Sequence, residues 1–276
     1  MRGADDAPAE PISQRVLDLT EVETQLGGTD LSDWFHPFLP RFARETIRAG
    51  GRAVVATQRR RVVGLGLTDP AERTVSVFAR SRPIVEALAA EPSEAAVYAE
   101  VDLGGAREVF GVHVARLLAE PPHRFRHPVR LLAPSDLPRA AALLREVYGS
   151  SAERWLAIAS EEGERGFGAD VDGTLAGVGW VLVVGPHARL HDLTVRPGYR
   201  RIGVGTDLAF ARLTYAWQAG ARLALSEISE GNAPSRAIAE RAGMRAAGRL
   251  FLYGRSPPRP LGGSIGPFAG PAPTSS

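Results

Sequence analysis

A glycine-containing loop between a strand and a helix is the feature that most limits how this chain can fold. Apolar residues predict a strand over 190–195 and, at helical spacing, a helix over 203–219, with a Pro197-Gly198 turn after the strand. The chain enters the helix through Arg200-Arg-Ile-Gly203-Val-Gly205-Thr206, the segment called here the glycine loop. Glycine lets the backbone approach a ligand closely, and a helix N-terminus offers free N–H groups and a positive dipole end. The glycine loop therefore predicts a phosphate site.

Arginine is concentrated around this loop. Residues 188–206 contain one acid, Asp192, and the arginines Arg189, Arg196, Arg200 and Arg201, which together could complement a ligand with several phosphates. The whole chain has 33 basic and 31 acidic residues and a formal charge of +2, so only the local cluster indicates an anionic ligand. It contains no lysine, which excludes Schiff-base chemistry.

Composition excludes several other classes of site. The chain has no cysteine, which excludes disulfides, thiolate–zinc sites and a cysteinyl intermediate. Its 6 histidines show no metal-binding spacing, so no metal is expected. There is no apolar run of the roughly 18 residues that a membrane span requires, and the N-terminus is acidic and proline-rich. We therefore predict a soluble, cytoplasmic protein with no membrane partner and, because the Arg59-Arg60-Arg61 run fits a solvated turn, no nucleic-acid partner.

The second half of the chain predicts an α/β fold with a mixed sheet. The proline-rich segment 121–128 precedes it, and Asp172-Gly173 is a strong hairpin signal. Strands are predicted at 129–132, 167–171, 175–184, 190–195, 223–228 and 246–253, and helices at 140–147, 203–219 and 234–241.

The first half predicts a weaker copy of the same pattern. Strands are predicted at 53–57, 62–67, 74–78, 96–101 and 109–117, with a helix at 83–90. Gly64-Leu-Gly66 and Gly177-Val-Gly179 lie at equivalent points of the two hairpins, which favours an internal duplication. The alternative is an unrelated small α/β domain. The first half has nothing comparable to the glycine loop.

A second motif, at 225–244, indicates which family the chain resembles. This chain resembles the GNAT superfamily of acyl-CoA-dependent N-acetyltransferases, whose pattern is L-E-V-x-x-x-N-x-x-A-x-x-L-Y-x-x-x-G-F. The matching residues are Glu227, Ile228, Asn232, Ser235, Ile238, Gly243 and Met244. Together with Arg-x-x-Gly-x-Gly at 200–205, the resemblance covers 128–254.

The resemblance implies a split, mixed β-sheet flanked by helices, with two such domains in tandem. We expect a disordered tail at 1–11, a degenerate GNAT-like domain at 12–125, a GNAT acetyltransferase domain at 126–255 and a Pro/Gly-rich disordered tail at 256–276. The family usually adds one more strand after position 253. That strand is expected from 109–117 or from a second subunit.

The resemblance also implies acetyl-CoA as the acyl donor, bound between the two diverging strands. The pantetheine arm would lie against Leu193, Thr194 and Val195, as an added peptide strand would. The pyrophosphate would lie on the loop that begins at Arg200, with Asn232 near the arm. The loop residues so implied are Arg200, Arg201, Ile202, Gly203, Val204, Gly205 and Thr206.

The implied reaction is acetyl transfer to an amine by direct attack in a ternary complex, because the chain has no cysteine to carry the acyl group. The acceptor is a small-molecule amine or a peptide, and a homodimer is possible on this pattern. A non-catalytic acyl-CoA-binding regulatory module is the main alternative. A site for a different nucleotide is a third interpretation, against which the missing Walker lysine counts.

Four residues are candidates for catalysis. Glu227 occupies the position of the general base in one branch of the family; the alternative is a glutamate on a solvated strand end. His191 and Asp192 lie on the neighbouring strand, where alternation predicts that they face opposite sides, and His191 ranks behind Glu227. The family's frequent tyrosine acid falls at Ala239, so Tyr253 becomes the candidate acid, with Tyr199 as another and core packing as the alternative role of both.

Overall fold

The computed structural model describes residues 11–69, 73–90, 96–148 and 164–254. Apart from Pro11, both predicted tails lie outside these residues. Contacts divide the described chain into unit 1, which runs to Gly105 and includes Tyr253 and Gly254, and unit 2, which runs from Ala106 to Leu252. None of the helices in these described ranges is both long and apolar enough to cross a membrane.

Unit 1 is a five-stranded sheet with helices on both faces. In spatial order its strands are β1 (Ser13–Val16), β2 (Arg52–Gln58), β3 (Arg61–Asp69), β4 (Thr74–Ala79) and β5 (Ala96–Ala99). The pairs are antiparallel except for β4 and β5, which are parallel. Its helices are α1 (Val22–Leu26), α2 (Leu39–Arg48) and α3 (Arg82–Ala89). Phe42 of α2 packs on Phe78 of β4, whereas α3 packs on Val77 through its apolar residues.

Unit 2 repeats this order of strands and extends it. Its strands are β6 (Glu108–Arg116), β7 (Val129–Leu131), β8 (Arg165–Val171), β9 (Thr174–Val184), β10 (His187–Val195), β11 (Leu223–Ser229) and β12 (Arg245–Tyr253), and the spatial order is β7-β8-β9-β10-β11-β6-β12. Only β10 and β11 are parallel. The helices are α4 (Leu137–Tyr148), α5 (Val204–Gln218) and α6 (Ala233–Arg241). The predicted hairpin is confirmed at Asp172-Gly173, where both residues have positive φ.

Two helices cover opposite faces of the unit 2 sheet. Val178 and Trp180 of β9 share a buried cluster with α4. The residues that alternate with them, Gly177 and Gly179, face α5, since a Cβ on Gly177 would lie 2.9 Å from Leu208 Cδ1. The predicted α/β sandwich with a mixed sheet is therefore confirmed.

The strand predicted to complete this sheet comes from the first half of the chain. β6 lies between β11 and β12, with Val112 opposite Glu227 and Phe110 opposite Leu250. Because β6 bonds to strands of the second sheet, the division by contacts falls before Ala106, whereas the predicted boundary lies after residue 125.

The close approach of a helix to a glycine recurs in both units. A Cβ on Gly64 of β3 would lie 2.5 Å from Ile84 Cγ2 in α3, as one on Gly177 would collide with α5. In both units the helix that follows the fourth strand of the repeat packs on a glycine of the third strand. This shared arrangement agrees with the predicted tandem of two related folds.

Candidate functional site

The sheet of unit 2 splits where β10 and β11 separate. Their parallel register joins His187–Arg189 with Leu223–Leu225 and ends there. Farther along β10, the pairing with β9 shifts by a residue between His191 and Thr194, and Asp192 in this bulge has a φ of 49°. A bulge bends its strand and increases its twist. The gap between the two strands, called here the slot, is the one that the sequence predicts.

A cavity occupies the slot. Its volume, including the open mouth, is about 490 Å³. Residues from both strands and from α5 and α6 line it, including Leu190, His191, Leu193, Arg212, Ser226, Glu227, Ile228, Asn232, Ile238 and Ala239. The predicted catalytic residues His191 and Glu227 therefore share one cavity with two predicted cofactor residues, Leu193 and Asn232.

The glycine loop connects the bulged strand to α5. Gly203 directly precedes α5 with a φ of 107°, a conformation that side-chain-bearing residues rarely adopt. The amides of Val204, Gly205 and Thr206 have no partner within the helix because they belong to its first turn. Arg200 donates from Nε to Val195 O at 3.2 Å, which ties the loop to β10. The loop therefore presents an anion-binding helix end close to the slot.

The expectation that the whole arginine cluster serves a phosphate is wrong for two of its members. Arg196 donates to Leu175 O at 3.0 Å and pairs with Glu146. Arg189 is 2% exposed and pairs with Glu227 inside the sheet. Arg200 and Arg201 remain exposed on the loop.

Glu227 is buried, not solvated. Its Oε1 accepts a hydrogen bond from Arg189 Nε at 2.8 Å, and its exposed fraction is 0%. Burial lowers the pKa of Arg189, but the charge and hydrogen bond of Glu227 outweigh it, so the net shift of the pKa is upward. Arg189 therefore stays charged and fixes the orientation of the carboxylate that lines the slot.

His191 lies between two carboxylates. Its Nδ1 is 2.7 Å from Asp192 Oδ2, and its Nε2 is 3.1 Å from Glu164 Oε2. Burial lowers the pKa of His191, but the charges and hydrogen bonds of Glu164 and Asp192 outweigh burial and raise the pKa to about 9. The imidazole is therefore protonated at neutral pH.

The prediction that His191 and Asp192 face opposite sides is wrong. Strict alternation requires a regular strand, and the bulge with its left-handed Asp192 turns that carboxylate toward the ring of His191. The two residues form one hydrogen-bonded group.

Asn232 caps α6 and also lines the cavity. Its Oδ1 accepts a hydrogen bond from the Ser235 amide at 3.2 Å, and it is 7% exposed. Thr194 of the predicted pantetheine strand is buried, while Leu193 and Val195 are half-buried. The predicted contacts of these residues with a cofactor stay predictions.

Tyr253 is not one of the described residues that line the cavity. It belongs to unit 1, where its hydroxyl accepts a hydrogen bond from the Leu103 amide at 2.7 Å and donates to Val101 O at 3.2 Å. Its packing with 101–103 corrects the expectation that places it with the other site residues. Ala239 lines the cavity, so no hydroxyl stands at the position of the family tyrosine.

Sequence reasoning missed Glu164 and Arg212. Arg212 is 3% exposed and donates from Nη1 to the carbonyls of Trp180 and His191 at 3.1 and 3.0 Å. Burial lowers its pKa to about 10. A buried arginine bound to strand carbonyls supports the bulge. Nothing in the spacing of either residue indicated these contacts.

Comparison with known proteins agrees with this geometry. Residues 135–244 match the sequence model of the acetyltransferase (GNAT) family. This segment is a GNAT domain. The match includes the bulged strand, the glycine loop and most of the cavity lining, and it confirms the resemblance found in the sequence. The comparison with curated proteins finds no match.

Solved structures show the same GNAT fold over most of the chain. A GCN5-related N-acetyltransferase from Sphaerobacter thermophilus is 14% identical, with a TM-score of 0.62 over 88% of this chain and 96% of that one. A tandem GNAT protein from the clavulanic acid biosynthesis pathway is 18% identical, with a TM-score of 0.57 over 90% and 100% of the two chains. A GCN5-related N-acetyltransferase from Kribbella flavida is 15% identical, with a TM-score of 0.54 over 76% and 90%. At these identities the likeness shows the fold alone.

Proposed function

We propose that this chain is an N-acetyltransferase that transfers the acetyl group of acetyl-CoA to an amine in a ternary complex. The observation that carries the proposal is that the elements of the site are consecutive in the chain. The bulged edge of β10, the glycine loop and the N-terminus of α5 follow one another directly along the chain, and the cavity lies beside them.

The residues present fit acetyl-CoA. The first-turn amides of α5, with Arg201 beside them, suit a pyrophosphate, because they combine free N–H donors with a positive dipole end. The edge of β10 at 193–195 suits the amides of a pantetheine arm, since β11 no longer pairs with β10 there. Acetyl-CoA would supply the thioester whose carbonyl carbon is attacked.

Glu227 is the proposed proton acceptor for the amine. In the reaction the amine nitrogen forms a bond to the carbonyl carbon, the carbon–sulfur bond breaks, and the nitrogen loses a proton. Glu227 lines the cavity, and Arg189 holds its Oε1 in place. Because the hydrogen bond from Arg189 fixes the carboxylate, orientation within the slot is the main contribution of this pair.

His191 with its two carboxylates is the proposed source of the proton for the leaving thiolate. The family tyrosine is replaced by Ala239, and both Ala239 and His191 line the same cavity. A group with a pKa of about 9 is protonated at neutral pH and is matched to a thiol, whose ordinary pKa is about 8.5. The cluster can thus replace the missing acid.

A thiol-release assay tests the proposal. The chain contains 0 cysteines, so any thiol that appears with acetyl-CoA comes from CoA. We expect release that depends on an added amine, measured across a panel of small amines and peptides with free N-termini. Binding of acetyl-CoA without release for any acceptor would instead favour the non-catalytic acyl-CoA-binding module, which the loss of the tyrosine at Ala239 motivates.

A further inference from the structure

The proline-rich segment 121–128, called here the strap, crosses the first turn of α5. It is attached through Asp207, which is 1% exposed. Asp207 Oδ1 accepts from His123 Nε2 at 2.7 Å, and Oδ2 accepts from His127 Nδ1 at 2.8 Å and from the His127 amide at 3.0 Å. The ring of His123 also stacks on Phe210, with centroids 4.1 Å apart. The strap is therefore fixed to the helix that follows the glycine loop.

The charge of Asp207 makes this attachment relevant to a phosphate. Burial raises the pKa of Asp207, but hydrogen bonds from His123 and His127 outweigh burial, and the net shift is downward. An ionised carboxylate in the first turn of α5 would by itself repel a bound phosphate. The strap supplies the donors that satisfy this carboxylate, so its attachment favours an anion at the same helix end.

The strap also carries a cation over the glycine loop. A Cβ placed on Gly203 would lie 3.1 Å from Arg126 Cδ and 3.7 Å from His127 Cε1. Arg126 is exposed, so its guanidinium is accessible to a ligand in solvent. Its position matters because Arg189 and Arg196, which the sequence places near the loop, pair with Glu227 and Glu146 instead.

We propose that Arg126 is a ligand of the pyrophosphate of acetyl-CoA and that Asp207 is the residue that positions it. This inference rests on the proposed function, which supplies the ligand. A guanidinium presents a planar set of donors that matches two phosphate oxygens, and such charge-assisted pairs are among the stronger hydrogen bonds in proteins. Arg126 belongs to the segment before the GNAT match, so the loop motif alone does not include it.

Titration calorimetry of the full chain with acetyl-CoA and with acetyl-dephospho-CoA tests the ligand role. Arg126→Gln should weaken both by about tenfold, since both contain the pyrophosphate and one charge-assisted contact is lost. It should also reduce the dependence of the affinity on salt. Arg124→Gln is the matched control, because Arg124 is an exposed arginine of the same strap. We expect it to bind both ligands like the wild type.

The results of this titration distinguish the ligand role of Arg126 from the proposed function. Equal affinities of wild type and Arg126→Gln would overturn the ligand role while leaving the proposed function intact. A loss confined to acetyl-CoA would assign Arg126 to the 3′-phosphate and overturn the pyrophosphate contact. A folded wild type that does not bind acetyl-CoA would overturn the proposed function and this inference together.

A double variant tests the positioning role of Asp207. Asp207→Asn keeps the shape of the side chain but removes the charge that His123 and His127 contact. If Asp207 acts through Arg126, the double variant Asp207→Asn/Arg126→Gln should bind acetyl-CoA no more weakly than the weaker single variant. Additive losses would overturn the positioning role. Thermal unfolding of each variant identifies any loss of binding that is due to unfolding.

Discussion

Arg189 Nε and Glu227 Oε1 lie 2.8 Å apart on neighbouring parallel strands, and their side chains are only 3% and 0% exposed. Arg189 is paired in register with Leu225, at the last position before the strands separate, and Glu227 lies two residues farther along β11. The ion pair therefore closes the inner end of the slot. The same two side chains therefore stabilise the split sheet and take part in the chemistry proposed for the cavity.

Replacement of Glu227 by Gln tests its proposed role as a proton acceptor. We expect kcat to fall by about 10² or more, because general-base catalysis contributes that much, while the Kd for acetyl-CoA stays within about twofold. The measurements are thiol-release kinetics and calorimetry. Glu230→Gln is the matched control, since Glu230 is exposed and pairs with Arg249 outside the cavity. A Glu227→Gln enzyme with wild-type kcat would contradict the role.

Loss of Arg189 alone should destabilise the protein. Arg189→Met leaves the Glu227 carboxylate buried without its cation, and breaking a buried pair from one side costs about 3–5 kcal/mol. Urea denaturation measures the free energy of unfolding. The double variant Arg189→Met/Glu227→Leu should regain much of that loss, because it buries no uncompensated charge. If the double variant is less stable than Arg189→Met, this would contradict the expectation. It would show that the buried ion pair stabilises the fold beyond the neutralisation of one charge by the other.

Stability should decrease as the pH rises above neutrality. His191 has a pKa of about 9 in the folded protein, above the 6.5 of the free group, so the folded state holds its proton more tightly. The resulting stabilisation is complete below about pH 6.5, is lost as pH rises through about 9, and is on the order of 3 kcal/mol. Urea denaturation at several pH values between 6 and 10 measures it.

The same series with His191→Gln provides the control for this titration. The variant cannot carry the proton. The decrease in the free energy of unfolding between neutral and alkaline pH that is due to His191 should therefore disappear. An unchanged slope in His191→Gln would assign the pH dependence to another group.

Much of the fold could be predicted because its elements have clear periodicity and turns. The strand–loop–helix at 190–219 and the hairpin at Asp172-Gly173 show this most clearly. β1, α1 and α2 were missed. β1 is exposed along its whole length and has no alternation. α2 did carry a signal, since Pro40 stands in its first turn and Leu39, Phe42, Ala43 and Thr46 follow helical spacing on its buried face.

The site could be predicted only in part, for a physical reason. The glycine loop is local in sequence, so its shape follows from its own residues. The contacts of Glu227 with Arg189, and of His191 with Glu164, join residues far apart in the chain and depend on where the strands separate. The turn of Asp192 toward His191 depends on a single bulge, and no pattern in the strand indicated it.

Calorimetry of the wild type and Gly203→Glu with acetyl-CoA tests the central claim most directly. Gly203 has a φ of 107° at the start of α5, so a glutamate there strains the loop and places a negative charge where a phosphate is expected. Gly198→Glu is the control, since a Cβ there meets nothing within 4 Å and the added charge is the same. We predict that the wild type binds, that Gly203→Glu abolishes binding, and that Gly198→Glu retains most of it. A folded wild type that does not bind acetyl-CoA would contradict the account.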